Sequence, residues 1–163
     1  MNKEDLISDI KEAFKEVSLE EGIGIVEADA IDDYADKRQQ EKARSLDERN
    51  NWENIPDEVI SKASFSLCYV DEKGMRFSLP AYMVFLLKNH EVSDSASIDA
   101  VIYALDRVSG PNDKGWDFLS KKQKEVVAKF LKFLVIGIKE GVVDDVVASR
   151  AYEKYWSKFD KQA

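Results

Sequence analysis

Residues 76–87, Arg76-Phe77-Ser78-Leu79-Pro80-Ala81-Tyr82-Met83-Val84-Phe85-Leu86-Leu87, carry two periodicities on either side of one proline. Upstream, Met75, Phe77 and Leu79 alternate with Arg76 and Ser78, the period of a strand with one buried face. Downstream, Ala81, Val84, Phe85 and Lys88 trace one side of a helix, while Tyr82, Met83, Leu86 and Leu87 fill most of the rest. Pro80 suits the joint, because its φ is fixed near the helical value and a first helical turn does not need its missing N–H.

Residues 65–70, FSLCYV, alternate in the same way, and Asp71-Glu72-Lys73-Gly74 between the two runs offers a glycine for a turn that requires positive φ. The reading is a β-hairpin over about residues 65–79 that hands its inner face, Phe77 and Leu79, to a core helix. A lone hairpin is marginal in water, so it must pack on helices.

The rest reads as helix. Leu6, Ile7, Ile10, Ala13, Phe14 and Val17 recur at helical spacing behind Asn2 as cap. A second pattern runs from about Ile25 to Leu46, with Ile23, Ala30, Ile31, Tyr34 and Ala35 on one side and Asp29, Asp32, Asp33 and Asp36 on the other. Beyond Lys37 it becomes very polar and should fray. Pro56 stands before a short helix, and Trp52 reads as an anchor under the hairpin. Ser97 reads as the cap of a helix carrying Ile98, Val101, Ile102 and Leu105. Ser120-Lys121-Lys122-Gln123 is a capping box that opens the expected central helix, which should stop at Gly141. A last helix should run from about Asp144 to Phe159. The expectation is a mainly α, compact bundle of about six to seven helices with one small hairpin, residues 1–163 forming a single domain.

Composition excludes several functions. The net charge is −8, and residues 1–51 hold 8 lysines and arginines against 15 acids, a balance of −7. Such a field disfavours nucleic acid and favours cationic partners. The single cysteine, Cys68, rules out an intrachain disulfide and fits a reducing compartment. The N-terminus has no apolar signal core, and the run Phe130 to Ile138 is too short to span a bilayer, so a cytoplasmic protein without membrane association is expected.

Little catalytic chemistry is visible. His90 is the only histidine, which removes multi-histidine zinc sites and leaves only a pairing with Cys68. Cys68 reads instead as a small buried hydrophobe, and Arg76 as half of a surface ion pair. The phosphate-loop, dinucleotide-loop and nucleophile-elbow motifs are missing, so no enzyme activity and no cofactor is expected.

Two stripes remain as contact candidates. Asp29, Asp32, Asp33 and Asp36 lie three and four residues apart and repel one another unless a cation intervenes. They form either a solvated helix face or a surface for a basic protein; a divalent ion is a third option, although a calcium loop's glycine is missing. Tyr152, Tyr155, Trp156 and Phe159 form either core or a binding or dimerisation patch.

Trp52-x-x-Ile55-Pro56, Gly74-x-Arg76-Phe77-x-Leu79-Pro80-Ala81-Tyr82-Met83 and the Leu119-Ser120-x-x-Gln123 helix together resemble an uncharacterised family of small bacterial proteins, a domain of unknown function. The resemblance covers about residues 20–135. It implies a bacterial origin and a compact, mainly helical fold, and carries no catalytic residue or cofactor. By analogy with small acidic immunity proteins, the leading expectation is a non-enzymatic protein that binds a protein partner such as a basic toxin through its acidic N-terminal helices. The alternatives are a metal-dependent enzyme or divalent-ion binder using the stripe with Glu20, Glu21 and Glu27, and a homodimer joined through the C-terminal aromatics.

Overall fold

A computed structural model describes residues 1–161. Within them lie eight α-helices: α1 (Lys3–Phe14), α2 (Ile25–Asp32), α3 (Lys37–Leu46), α4 (Asp57–Lys62), α5 (Glu72–Asn89), α6 (Ser97–Leu105), α7 (Lys121–Gly137) and α8 (Asp145–Lys154). Single 3-10 turns occur at Trp52–Asn54, Ser66–Cys68 and Trp156–Phe159.

The expected hairpin at 65–79 does not form, and no strand occurs among the described residues. Its first run is the Ser66–Cys68 turn, and its second is the first half of α5. The Asp71 carboxylate accepts the Gly74 N–H at 2.8 Å and Glu72 sits in the first turn, so the presumed hairpin loop is a helix N-cap. From Gly74 to Leu87 every residue of α5 except Arg76 is buried. A hairpin strand leaves one face to water; this segment leaves none, and a helix apolar all round imitates alternation over a few residues. Pro80 therefore lies inside the helix, eight residues after its start, and deprives the Arg76 carbonyl of its donor. That loss costs about 3 kcal/mol. Burial outweighs it, since Met75, Phe77, Leu79, Tyr82, Met83, Val84, Phe85, Leu86 and Leu87 each contribute about 1.5–3 kcal/mol.

The central helix is thus α5 rather than α7, whose distal half exposes Ile136. Helix α5 packs on α1, α1 on α7, α7 on α8, α8 on α6, and α6 back on α5, which closes a ring of five helices. Their buried side chains form one hydrophobic cluster. Helix α4 touches α5 and α6, while α2 and α3 pair with each other and dock through the Ser66–Cys68 turn.

Side chains from one element repeatedly satisfy the orphan carbonyls at the end of another. The Trp52 indole donates to Phe14 O at the end of α1 (3.1 Å), so it anchors α1 rather than a hairpin. The Trp156 indole donates to Leu105 O at the end of α6 (2.9 Å). Around the end of α4, the Tyr82 hydroxyl donates to Ala63 O (2.5 Å) and Ser97 Oγ to Ile60 O (2.6 Å). Ser97 therefore ties α6 to α4 and caps nothing. Where sequence placed a capping box, Ser120 and Gln123 form it, and the Gln123 amide goes on to donate to Ala13 O at 3.3 Å.

Candidate protein-contact surface

The acidic N-terminal pattern is two helices rather than one. Helix α2 ends in a Schellman motif: Ala35 N–H reaches Ala30 O (2.9 Å) and Tyr34 N–H reaches Ile31 O (3.1 Å). The motif needs a left-handed residue, normally glycine, and here that residue is Tyr34 at φ 55°. A tyrosine in this conformation costs about 1–2 kcal/mol. Its ring is not core, as the helical pattern suggested, but 95% exposed. Asp36 then opens α3 through a capping box with Gln39, which commits its carboxylate to the Gln39 N–H at 2.8 Å.

The segment leading into α2 is gripped from two sides. Arg44 donates to the carbonyls of Gly22 (3.1 Å) and Glu21 (2.8 Å) and to Glu27 Oε2 (2.7 Å). Arg49 donates to the carbonyls of Glu20 and Gly22. Helix α2 has no cap of its own, since Gly24 stands at the cap position. Asp47, at the far end of α3, supplies it by accepting the N–H groups of Val26 (2.9 Å) and Glu27 (3.0 Å). A Cβ on Gly24 would lie 2.2 Å from that carboxylate, so only glycine admits this cap. Burial raises the Asp47 pKa, and the two backbone donors oppose the shift.

Asp29, Asp32 and Asp33 stand on the arm so fixed. Asp29 and Asp33 are exposed and Asp32 half-exposed. Among the described residues none of the three forms an ion pair, whereas Glu12, Glu20, Glu21, Glu27, Asp106, Asp117 and Glu125 are all paired with lysine or arginine. Partial burial, then repulsion from Asp33 and Asp32, pushes the Asp29 carboxyl up. The neighbouring Asp32 carboxylate raises the Tyr69 phenol pKa, and Tyr69 lies within electrostatic reach of Tyr34. Phe65, on the same turn as Tyr69, is 64% exposed. The surface thus combines three uncompensated carboxylates with exposed Tyr34, Tyr69 and Phe65. Spacing alone conceals these aromatics, because it reads Phe65 and Tyr69 as part of a hairpin strand and Tyr34 as part of a helix's apolar side.

The raised Asp29 pKa has a measurable consequence. In the folded chain Asp29 holds its proton to higher pH than in the unfolded chain, where the value is 3.8, so stability is lost as pH climbs from 3.8 through the raised folded value. As pH rises across the acid range, the urea midpoint of the native protein should fall relative to that of Asp29→Asn.

The second stripe divides. Tyr155 and Trp156 are buried, packed edge-on to each other at 4.9 Å and, for Trp156, on Trp116 at 5.1 Å. They present nothing to a partner. Tyr152 and Phe159 are half-buried, and the Tyr152 hydroxyl donates to Asp160 at 2.6 Å. Helix α8 stops at Lys154 rather than running to Phe159, because Tyr155 departs from helical geometry at φ −145°.

Of the carboxylates weighed for a metal, Glu27 pairs with Arg44, and Glu20 and Glu21 with Lys73. Among the described residues no group of three or more His, Cys, Asp and Glu side chains is arranged to hold a metal ion. Cys68 is exposed rather than buried, and His90 turns Nδ1 to the Leu86 carbonyl of its own helix at 3.0 Å. No described helix is long and apolar enough to cross a membrane.

Compared with known proteins, residues 2–160 match a family described as a family of unknown function (DUF6714). No curated protein and no solved structure matches.

Proposed function

We propose that this chain, which belongs to that family of unknown function, is a non-enzymatic binding protein whose α2 face docks on a basic protein surface. The observation that carries this reading is Tyr34: an aromatic ring 95% exposed, held left-handed beside Asp32 and Asp33, carboxylates that the fold gives no cation. Non-glycine residues in this conformation gather at ligand clamps, where binding offsets the strain. Lysine and arginine side chains answer both parts of the surface, pairing with the carboxylates and stacking on the tyrosine faces. This is the chemistry by which a bacterial immunity protein would neutralise a basic toxin, and a reducing cytoplasm suits the exposed thiol of Cys68.

The test is co-purification from the native cell followed by reconstitution with the purified partner. Reversing Asp29, Asp32 and Asp33 to lysine should weaken the complex at least about tenfold and flatten its salt dependence. Reversing Glu12, which Lys15 and Lys122 already neutralise, should leave affinity nearly unchanged. A stoichiometric partner that binds the triple reversal as tightly as the native chain would overturn the proposal, as would a partner with an acidic contact surface.

A further inference from the structure

Arg76 is the one charged side chain between Gly74 and Leu87, the length over which α5 is otherwise wholly buried. It leaves the bundle through a cleft of about 600 Å³ between the end of α1, the Val17–Glu20 connection and the Asp117–Gln123 entry to α7. Clefts of this size hold small molecules. The expected surface ion pair is scarcely made: Glu20 Oε2 lies 3.9 Å from Nη2, and Nε is buried with no acceptor. Of the other arginines, Arg44, Arg49, Arg107 and Arg150 each have an oxygen within 3.1 Å, although Arg49 Nη1 is also buried without an acceptor, and Arg38 is exposed; Arg76 is the partly buried arginine with no short hydrogen bond among the described residues. Buried guanidinium N–H groups are normally satisfied, and one left without a partner beside a cleft calls for an acceptor from outside. Glu20 stands in the left-handed region at φ 53° with Arg49 on its carbonyl, and its carboxylate lies nearer Lys73 (3.1 Å) than Arg76.

The other charges on the walls decide what the cleft accepts. Glu12 is shared by Lys15 (2.9 Å) and Lys122 (3.3 Å), Asp117 is held by Lys124 (3.0 Å), and Glu20 by Lys73 (3.1 Å). Glu16, exposed at the mouth, forms no ion pair among the described residues. Arg76, with only its long contact to Glu20, and Glu16, with no closer cation than the field of Lys15, thus line the same cleft as the apolar side chains of Ala13, Val17, Phe118 and Leu119. We infer that this cleft binds a small zwitterion of the apolar amino-acid class, its carboxylate forked by Arg76 and its ammonium met by Glu16. The guanidinium fork fits a carboxylate in two parallel hydrogen bonds. The site is separate from the α2 face and stands or falls independently of it.

The resonance of the Arg76 Nε–H group in ¹⁵N-labelled protein, assigned by its loss in Arg76→Lys, reports on the site directly. L-leucine, L-methionine and L-phenylalanine would each be titrated to about 10 mM, a range that detects even millimolar binding. At least one should shift the resonance saturably. 4-Methylpentanoate, which is leucine without its ammonium, should bind about twofold to fivefold more weakly than leucine, a gap that Glu16→Gln closes. Arg76→Lys, checked for folding by its amide spectrum, should lower affinity about tenfold or more, because a point charge cannot reproduce the fork. Three results would overturn the inference: no shift with any of the three amino acids, undiminished binding in Arg76→Lys, or equal binding of leucine and 4-methylpentanoate.

Discussion

Gly74→Ala is expected to destabilise the protein by about 2–3 kcal/mol, although alanine is the better helix former by about 1 kcal/mol. A Cβ at Gly74 would sit 2.0 Å from the carbonyl oxygen of Ile23, a backbone atom with little freedom to retreat. Ile23 is tied to α5 by its own N–H on Asp71 Oδ1 (3.0 Å), and the neighbouring carbonyls are held by Arg44 and Arg49. Moving the segment outward would break several of these bonds at once, so the clash exceeds the propensity gain. Urea unfolding should show a lower midpoint with an unchanged slope. Gly74→Asn separates this cause from a positive-φ turn. Asparagine tolerates a left-handed turn, yet inside a packed helix it adds bulk at the same contact, so here it should be worse than alanine. Because the displaced segment leads into α2, amide exchange over residues 19–34 should also quicken, which ties this glycine to the geometry of the acidic face.

What the sequence disclosed and what it hid follow one physical distinction. Features whose cause lies within four residues were legible: the Asn2 cap, the Ser120–Gln123 capping box and the apolar stripe of α6 all stand where spacing placed them. Features caused by distant residues were not. The alternation at 65–79 looked like a strand because periodicity cannot distinguish a half-buried strand from a short piece of helix buried on every side; the neighbours of α5 decide that, and they come from both ends of the chain. Asp47 caps a helix that begins 22 residues before it, and no local motif announces such a cap. Of the candidate site, Asp29, Asp32 and Asp33 were readable from spacing, whereas Tyr34, Phe65 and Tyr69 were concealed. Tyr34 occupies a position that propensity reserves for glycine, and the other two were concealed by the hairpin reading. The aromatic stripe at the C-terminus was visible in the sequence, but the helix expected to carry it ends at Lys154, and spacing cannot say whether a stripe faces solvent.

Trp156→Ala should remove about 3–5 kcal/mol, the largest loss expected from a single substitution discussed here. The side chain is fully buried, stacks edge-on against Trp116 and Tyr155, and donates its indole N–H to Leu105 O at the end of α6. Truncation opens a cavity and strands that carbonyl. Trp156→Phe refills most of the space and loses chiefly the hydrogen bond, so about 1–2 kcal/mol should separate it from the native protein. For a chain of this size the alanine variant should melt about 10 °C lower. Melting at two protein concentrations far apart discriminates core from interface: a buried Trp156 gives the same shift at both, while a dimer contact would give a shift that shrinks on dilution. The location of the damage follows from the ring of helices. The Trp156 turn packs on α7 and α8 and is bolted to α6, whereas α2 and α3 attach through the Ser66–Cys68 turn. Trp156→Phe should therefore loosen α6, α7 and α8 in amide exchange while leaving Tyr34 and its three aspartates able to bind, so stability and partner affinity should separate in this variant and fall together in Gly74→Ala.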